Sequence, residues 1–491
     1  MKNKLLLGAL ILGFGQVGGK ILSLIFIFRL AQDLKPIGLH LYTYAYIPFS
    51  LFLDLSAFGL IPGVSKCISR LEVDDKKRYL LKTGSVFSLV LGVIFYLLLN
   101  FFNEKILGAS LYNGYTNEEY TIILNHLRIA SLSLFIYPLT SFYKGYIQGY
   151  QKMLPSAIAI LLENIARILL YLYISKNIDN TTITKIFICN FISYSLALAF
   201  LFFYVVRDYF KPKIKFKAIT AILNTAIPFG IVTLFFTFYQ LIDSITLSSL
   251  GIESHIYTAY MFETIRLIFI PIVLAQSVGG AINPKVNALC TNNKLDEAKR
   301  LATRLTTIMI YLLIPIVMLY KIYSYELYTF FYNNDSVYIV LSDISILIFF
   351  IGFYKVMIGI SQGVNKFNYV VISTFIGMLA KIVLNYLLVP RYSYRGAIMA
   401  TLIAIGICLV VSYFILNKSK INILFKNFKS IISSIFIAII SGLAATIFRI
   451  SLLLEYPDIV GMIGFIIIFI LAYILLIAFL RVSNSKINHK I

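Results

Sequence analysis

Apolar runs of about 20 residues recur along the whole chain, separated by short polar connections. A run of that length crosses the ~30 Å hydrocarbon core of a bilayer as an α-helix. Hydropathy predicts about fourteen spans, centred near residues 17, 50, 92, 134, 164, 194, 232, 269, 312, 349, 378, 405, 438 and 468. No connection reaches the ~50 residues that a separate folded domain needs. The first run is too long for the apolar core of a cleaved signal, and no small-x-small site follows it. The pattern is that of an all-α polytopic membrane protein.

Charge then orients the spans. One set of connections is basic: Lys66 to Arg78, Arg207 to Lys217, Lys285 to Arg304, Lys418 to Lys429, and the tail with Arg481, Lys486 and Lys490. The alternate set carries Asp33, Glu104, Glu118, Glu119, Asp179, Glu253, Glu326, Asp335, Glu455 and Asp458. The positive-inside rule places the basic set and both termini in the cytoplasm, and the protein in the cytoplasmic membrane. This alternation accounts for the net charge of +22. The cations are spread over many loops without interleaved aromatics, so nucleic acid is not an expected partner. Cys67, Cys189, Cys290 and Cys408 show no metal-ligand spacing and predict no disulfide framework.

Two stretches recur. "IPGVSKCISRLEVDDKKRYL" from Ile61 is echoed by "INPKVNALCTNNKLDEAKRLA" from Ile282, and "GYIQGYQKMLPSAI" from Gly145 by "GISQGVNKFNYVVI" from Gly359. Gln148-Gly149 aligns with Gln362-Gly363, Lys152 with Lys366, and Arg167 with Lys381. Matches in the same order at nearly the same offset indicate duplication. Six spans per copy is an even number, so the copies enter the membrane in the same sense, as parallel repeats. The expected layout is a six-helix lobe at 1–210, its repeat at 211–417, and two further helices with a short basic tail at 418–491. Gly149 and Gly363 are expected to supply tight turns at positive φ.

Several stretches together carry a resemblance: "GALILGFGQVGGKILSL", "YTYAYIPFSLFLDLSAFGLIPGVSKCISR", "SFYKGYIQGYQKMLP", "QLIDSI", "IRLIFIPIVLAQSVGGAINPKV" and "AKIVLNYLLVP". The pattern resembles the multidrug/oligosaccharidyl-lipid/polysaccharide flippase superfamily, in its bacterial polysaccharide and lipid II flippase branch. The resemblance implies a V-shaped, two-lobed bundle that moves lipid-linked saccharides across the membrane by alternating access.

Charges inside the spans are the candidate site. Gly13, Gln16, Lys20 and Ser23 are spaced i, i+3, i+7 and i+10, which puts them on one helix face. Intramembrane charges face a bundle interior or a wet cavity. Lys20 is therefore a candidate cation for a pyrophosphate, and the alternative is a structural pair with Asp54. The resemblance implies a cavity cation at the positions of Lys20 and Arg266. It implies a cation near Asp54 as well, and there this sequence departs from the lipid II branch. Glu263, three residues before Arg266, could neutralise it within one helix. Glu163 and Arg167, at i and i+4, can satisfy each other. Asp243 shares a polar face with Thr233, Thr237, Gln240 and Ser244. Asp243, as an unpaired membrane carboxylate, and Glu263 are candidate sites for a coupling Na+ or H+.

The expected function is a flippase for a polyprenyl-pyrophosphate-linked oligosaccharide or peptidoglycan precursor, with Lys20, Gln16, Arg266, Asp54 and Gln240 lining the cavity and membrane lipids around it. The alternative is a cation-coupled multidrug antiporter of the same superfamily, which should stop at twelve spans and favour carboxylates in its cavity. A membrane enzyme would need a metal-binding acidic motif or a general base in a sizeable loop. Its nearest trace, "VDDKK", recurs as an interfacial turn in "LDEAKR". No enzyme activity and no cofactor beyond a coupling ion are expected.

Overall fold

The computed structural model describes residues 2–69, 71, 74–110, 117–176, 181–209, 217–332, 337–364, 366–418, 428–452, 464 and 466–476. The basic tail with Arg481, Lys486 and Lys490, and the acids Asp179, Asp335, Glu455 and Asp458, lie outside them. Among the described residues, eleven helices are long and apolar enough to cross a membrane. They are α1 (Ile11–Leu34), α2 (Gly38–Ser69), α3 (Lys77–Lys105), α4 (Glu118–Gly149), α5 (Met153–Ile174) and α6 (Thr182–Val206). The second group is α7 (Ala218–Ser249), α8 (Ser254–Cys290), α9 (Leu295–Ile322), α10 (Tyr338–Gly363) and α11 (Phe367–Phe414). Two shorter helices follow, α12 (Phe428–Leu452) and α13 (Ile466–Leu476).

At 48 residues, α11 holds two of the expected spans. Pro390 removes a helix donor there, and Ser393 leaves helical geometry at φ 55° and ψ −140°. Each expected span therefore has a helical counterpart.

Packing follows the same scheme in both halves: α1 lies along α5 as α7 lies along α11, and α2 lies along α4 as α8 lies along α10. The contacts Gly8–Met153, Gly15–Ala157, Gly19–Ile160 and Asp33–Tyr171 climb both helices together, so α1 and α5 run in the same direction. Glycines on α1 allow that approach, since a Cβ at Gly15 would sit 2.7 Å from the Cβ of Ala157. Gly149 serves the same purpose. It is helical, the positive φ falls on Gln151, and its missing side chain admits Ile68 of α2. Gly363 also remains helical. The turn role expected of these glycines is thus replaced by close packing.

The halves meet at both ends of the bundle, so the expected V is shut. At one end Gly59 and Gly63 of α2 press against Ala226 and Gly230 of α7, and Lys66 lies over Phe229 at 5.5 Å. At the other end Tyr44 of α2 stacks on Tyr257 of α8 with centroids 4.6 Å apart, and Thr258 bonds His40. The last two helices attach to the second half: Tyr311 of α9 bonds Ser433 of α12, and Ser434 bonds Tyr473 of α13, both at 2.7 Å.

Candidate functional site

With Gly15, Gly18 and Gly19 against α5, the polar stripe of α1 turns inward. Lys20 lies mid-span, yet its side chain is solvent-accessible. Its electrostatic neighbours come from three other helices: Tyr46 and Asp54 on α2, Glu163 on α5 and Arg266 on α8. A lysine that is both surrounded by helices and accessible lines an internal wet cavity.

Arg266 also reaches this interior. Its guanidinium lies 4.7 Å from the ring centroid of Tyr46 and 5.0 Å from that of Phe262, and it hydrogen-bonds Tyr46. Guanidinium over an aromatic face gains cation–π attraction without losing its donors. Tyr42, Tyr46, Arg167, Asn190, Tyr194 and Arg266 line a small cavity of about 20 Å³. Nearby, Lys355 of α10 sits over the Phe236 ring at 3.5 Å and within electrostatic range of Asp54.

Five cations (Lys20, Lys144, Arg167, Arg266 and Lys355) thus gather around two carboxylates, Asp54 and Glu163. Glu163 is shared, with Arg167 at 3.1 Å and Lys144 at 3.3 Å. Among the described residues, no carboxylate comes within ion-pair distance of Lys20, Arg266 or Lys355. Asp54, the expected partner of Lys20, instead accepts a hydrogen bond from Thr237 of α7 at 3.3 Å. Such a surplus of positive charge in a cleft with low-dielectric walls attracts an anion.

Two expectations change. Glu263 does not neutralise Arg266. Residues Ala259–Thr264 form a π-helical turn, which breaks the i, i+3 register between the two side chains. The Glu263 carboxylate takes the Tyr328 hydroxyl instead, and Tyr332 donates to the Glu263 backbone carbonyl at 2.9 Å. Asp243 is not an unpaired carboxylate. Lys381 reaches it at 2.5 Å, while Asn385 and Tyr260 donate to it at 2.7 and 3.0 Å. Its acceptor positions are taken, so the case for a coupling ion at Asp243 falls. Gln16 and Gln240 are half-buried, and no described hydrogen bond ties them to the cation cluster.

Sequence reasoning missed Lys355 and Lys144. A partial signal was present: "FYK" occurs at 142–144 and again at 353–355, three residues out of the register of the other matches.

The chain matches the family described as polysaccharide biosynthesis protein over residues 5–286, and the MatE family over residues 228–387. Among curated relatives, the lipid II flippase MurJ of Bacillus subtilis (strain 168) is 27% identical over 463 residues, covering 85% of this chain and 83% of that protein. A solved lipid II flippase MurJ in an inward closed conformation matches with a TM-score of 0.74 at 18% identity, over 97% of this chain and 100% of that one. A multidrug resistance MATE family transporter, inward-facing, gives a TM-score of 0.65 at 15% identity over 84% of this chain and 94% of that one. Likeness at these identities speaks to the fold.

Proposed function

The chain belongs to the polysaccharide biosynthesis protein family, within the multidrug/oligosaccharidyl-lipid/polysaccharide flippase superfamily, and from that premise we propose that it turns a polyprenyl-pyrophosphate-linked saccharide from the inner to the outer leaflet of the cytoplasmic membrane. The observation that carries the reading is the surplus of cations over carboxylates in a water-accessible cavity between the halves. A pyrophosphate supplies the missing negative charge. The likeness to MurJ supports a peptidoglycan precursor as the cargo.

In this proposal the basic connections and both termini face the cytoplasm, where the headgroup enters while the lipid tail stays in the membrane. The cavity, about 20 Å³, has room for little more than a water molecule, so the saccharide fits only when the halves part. Parting at one end and then the other constitutes alternating access by parallel repeats. An inside-negative potential favours outward movement of the anion by ~2.3 kcal/mol per net charge per 100 mV. A cationic drug, the cargo of the alternative antiporter, would meet net positive charge.

The test is flipping of a fluorescent undecaprenyl-pyrophosphoryl sugar in proteoliposomes. Lys20→Ala should lose roughly 10- to 100-fold of the rate, the equivalent of one charge-assisted contact, and Lys20→Arg should keep part of it. The Lys20→Ala/Asp54→Ala double variant should stay inactive while folded. Recovery of transport in the double variant would make Lys20 the structural partner of Asp54 and remove it from the site.

A further inference from the structure

Asp54 of α2 differs from the other carboxylates inside the bundle. Glu163 holds two cations, Asp243 takes three donors, and Glu263 takes the Tyr328 hydroxyl. Asp54 receives the Thr237 hydroxyl of α7 at 3.3 Å, and among the described residues no other hydrogen bond reaches its carboxylate. An ionised carboxylate is acceptor-only, with about four lone-pair sites on its two oxygens. Most of the acceptor capacity of Asp54 is therefore open, and its side chain is accessible.

Its place on the helix says where that capacity points. Asp54 lies between Tyr44, which stacks on Tyr257, and Gly59, which presses against Gly230. These contacts mark the two ends at which the halves meet, and Thr237 belongs to the opposite half, so Asp54 faces the space between them. Lys20, Arg266 and Lys355 are within electrostatic range of it, yet none comes within ion-pair distance. An acid that only balanced these cations would gain most by pairing with one, as Glu163 does.

The same cations decide what the open acceptor can take. A cationic group would meet Lys20, Arg266 and Lys355, and an anionic group would meet Asp54 itself. A neutral group rich in donors meets neither penalty, and the hydroxyls of a sugar are such donors. Tyr137 and Tyr194, whose rings meet edge-on with centroids 5.2 Å apart, are electrostatic neighbours of Asp54 and supply the aromatic lining usual in a ligand site.

We propose that Asp54 is a specificity-determining residue: it accepts hydrogen bonds from the hydroxyls of an uncharged sugar joined to the pyrophosphate, and it rejects an acidic sugar at that place. The assignment rests on the flippase reading, in which the cations meet the pyrophosphate, and it names the class of saccharide. A carboxylate beside those cations weakens their hold on a bare pyrophosphate and favours a headgroup that brings hydroxyls, so discrimination comes from a repulsive element as well as an attractive one.

Binding to the full chain in nanodiscs tests this, with undecaprenyl pyrophosphate, its glucosyl derivative and its glucuronosyl derivative as separate probes. Wild type should bind the glucosyl lipid about tenfold more tightly than the bare lipid, the worth of one hydrogen bond to a charged group. The glucuronosyl lipid should bind no better than the bare one. This comparison needs no variant, and a glucuronosyl lipid bound as tightly as the glucosyl one overturns the proposal. Asp54→Asn is nearly isosteric but uncharged. It should bind the bare lipid a few-fold more tightly, lose the glucosyl advantage, and admit the glucuronosyl lipid, while melting like wild type. An acid that acts on the pyrophosphate through charge alone would shift all three lipids together, and that result also overturns the proposal. Asp54→Glu keeps the charge and moves the acceptor by one methylene, so it covers the case of an unstable Asp54→Asn. It should lose the glucosyl advantage with affinity for the bare lipid unchanged, and a retained advantage counts against Asp54. A wild type that binds and flips the bare lipid but gains nothing from glucose removes Asp54 from the site and leaves the flippase reading standing. If wild type neither binds nor flips any of the three, the flippase reading fails, and the assignment with it.

Discussion

Two of the lysines inside the membrane region of this protein, Lys381 and Lys20, stand in opposite circumstances. Lys381 of α11 is fully buried, and each of its three ammonium donors has an acceptor: Asp243 at 2.5 Å, Thr401 at 2.6 Å and the Ala397 carbonyl at 3.0 Å. All its partners belong to the second half of the chain. Lys20 of α1 is accessible, has no carboxylate within ion-pair distance among the described residues, and feels the charge of Arg266 from the other half. A buried charge is tolerated when its partners are complete, and that completeness leaves nothing for a ligand. An intramembrane cation left short of anions is instead poised to bind one. The completeness of the partners, rather than the charge itself, separates scaffold from site.

The largest effect should follow from breaking the complete cluster. Lys381→Met leaves Asp243 buried with only Asn385 and Tyr260 as donors, and should cost about 3–5 kcal/mol of stability. Adding Asp243→Asn should return much of it. Lys20→Met should change melting little and abolish transport. Thermal melts in detergent beside flipping rates would check both. A Lys20→Met variant as unstable as Lys381→Met would erase the contrast.

An intermediate effect is expected at Lys355, which rests on Phe236 and feels Asp54 without an ion pair. Lys355→Gln removes one of several cavity cations, so KM for the lipid-linked sugar should rise about three- to tenfold with melting unchanged. An unchanged KM would confine the anion site to Lys20 and Arg266.

Much of this organisation was legible in the chain. Span length alone places the helices, and the spacing of Gln16 and Lys20 already points a polar stripe inward. The matched stretches at Gly145 and Gly359 anticipate equivalent packing of α4 on α2 and α10 on α8. The partners of each charge were not legible. Asp243 and Lys381 lie 138 residues apart and meet only through the α7–α11 contact. Glu263 sits in a π-helical turn, which a 3.6-residue period does not anticipate, so its separation from Arg266 could not be read from spacing. Lys355, close to the end of an apolar run, reads as an interfacial anchor, and the second "FYK" lies three residues out of the repeat's register.

The smallest expected effect is also the finest probe of the contrast, because one substitution can be made on both sides of it. Thr401→Val leaves a fully buried ammonium one acceptor short, which should cost about 1–3 kcal/mol in stability with flipping at saturating substrate preserved. Thr237→Val removes a 3.3 Å bond to Asp54, but that carboxylate is accessible, and water takes over the lost donor. The expected loss there is under about 0.5 kcal/mol, with at most a twofold change in KM. Equal losses at the two threonines would mean that Asp54 is as dry as Asp243, and the open, wet character assigned to the cavity around Lys20 would fail with it.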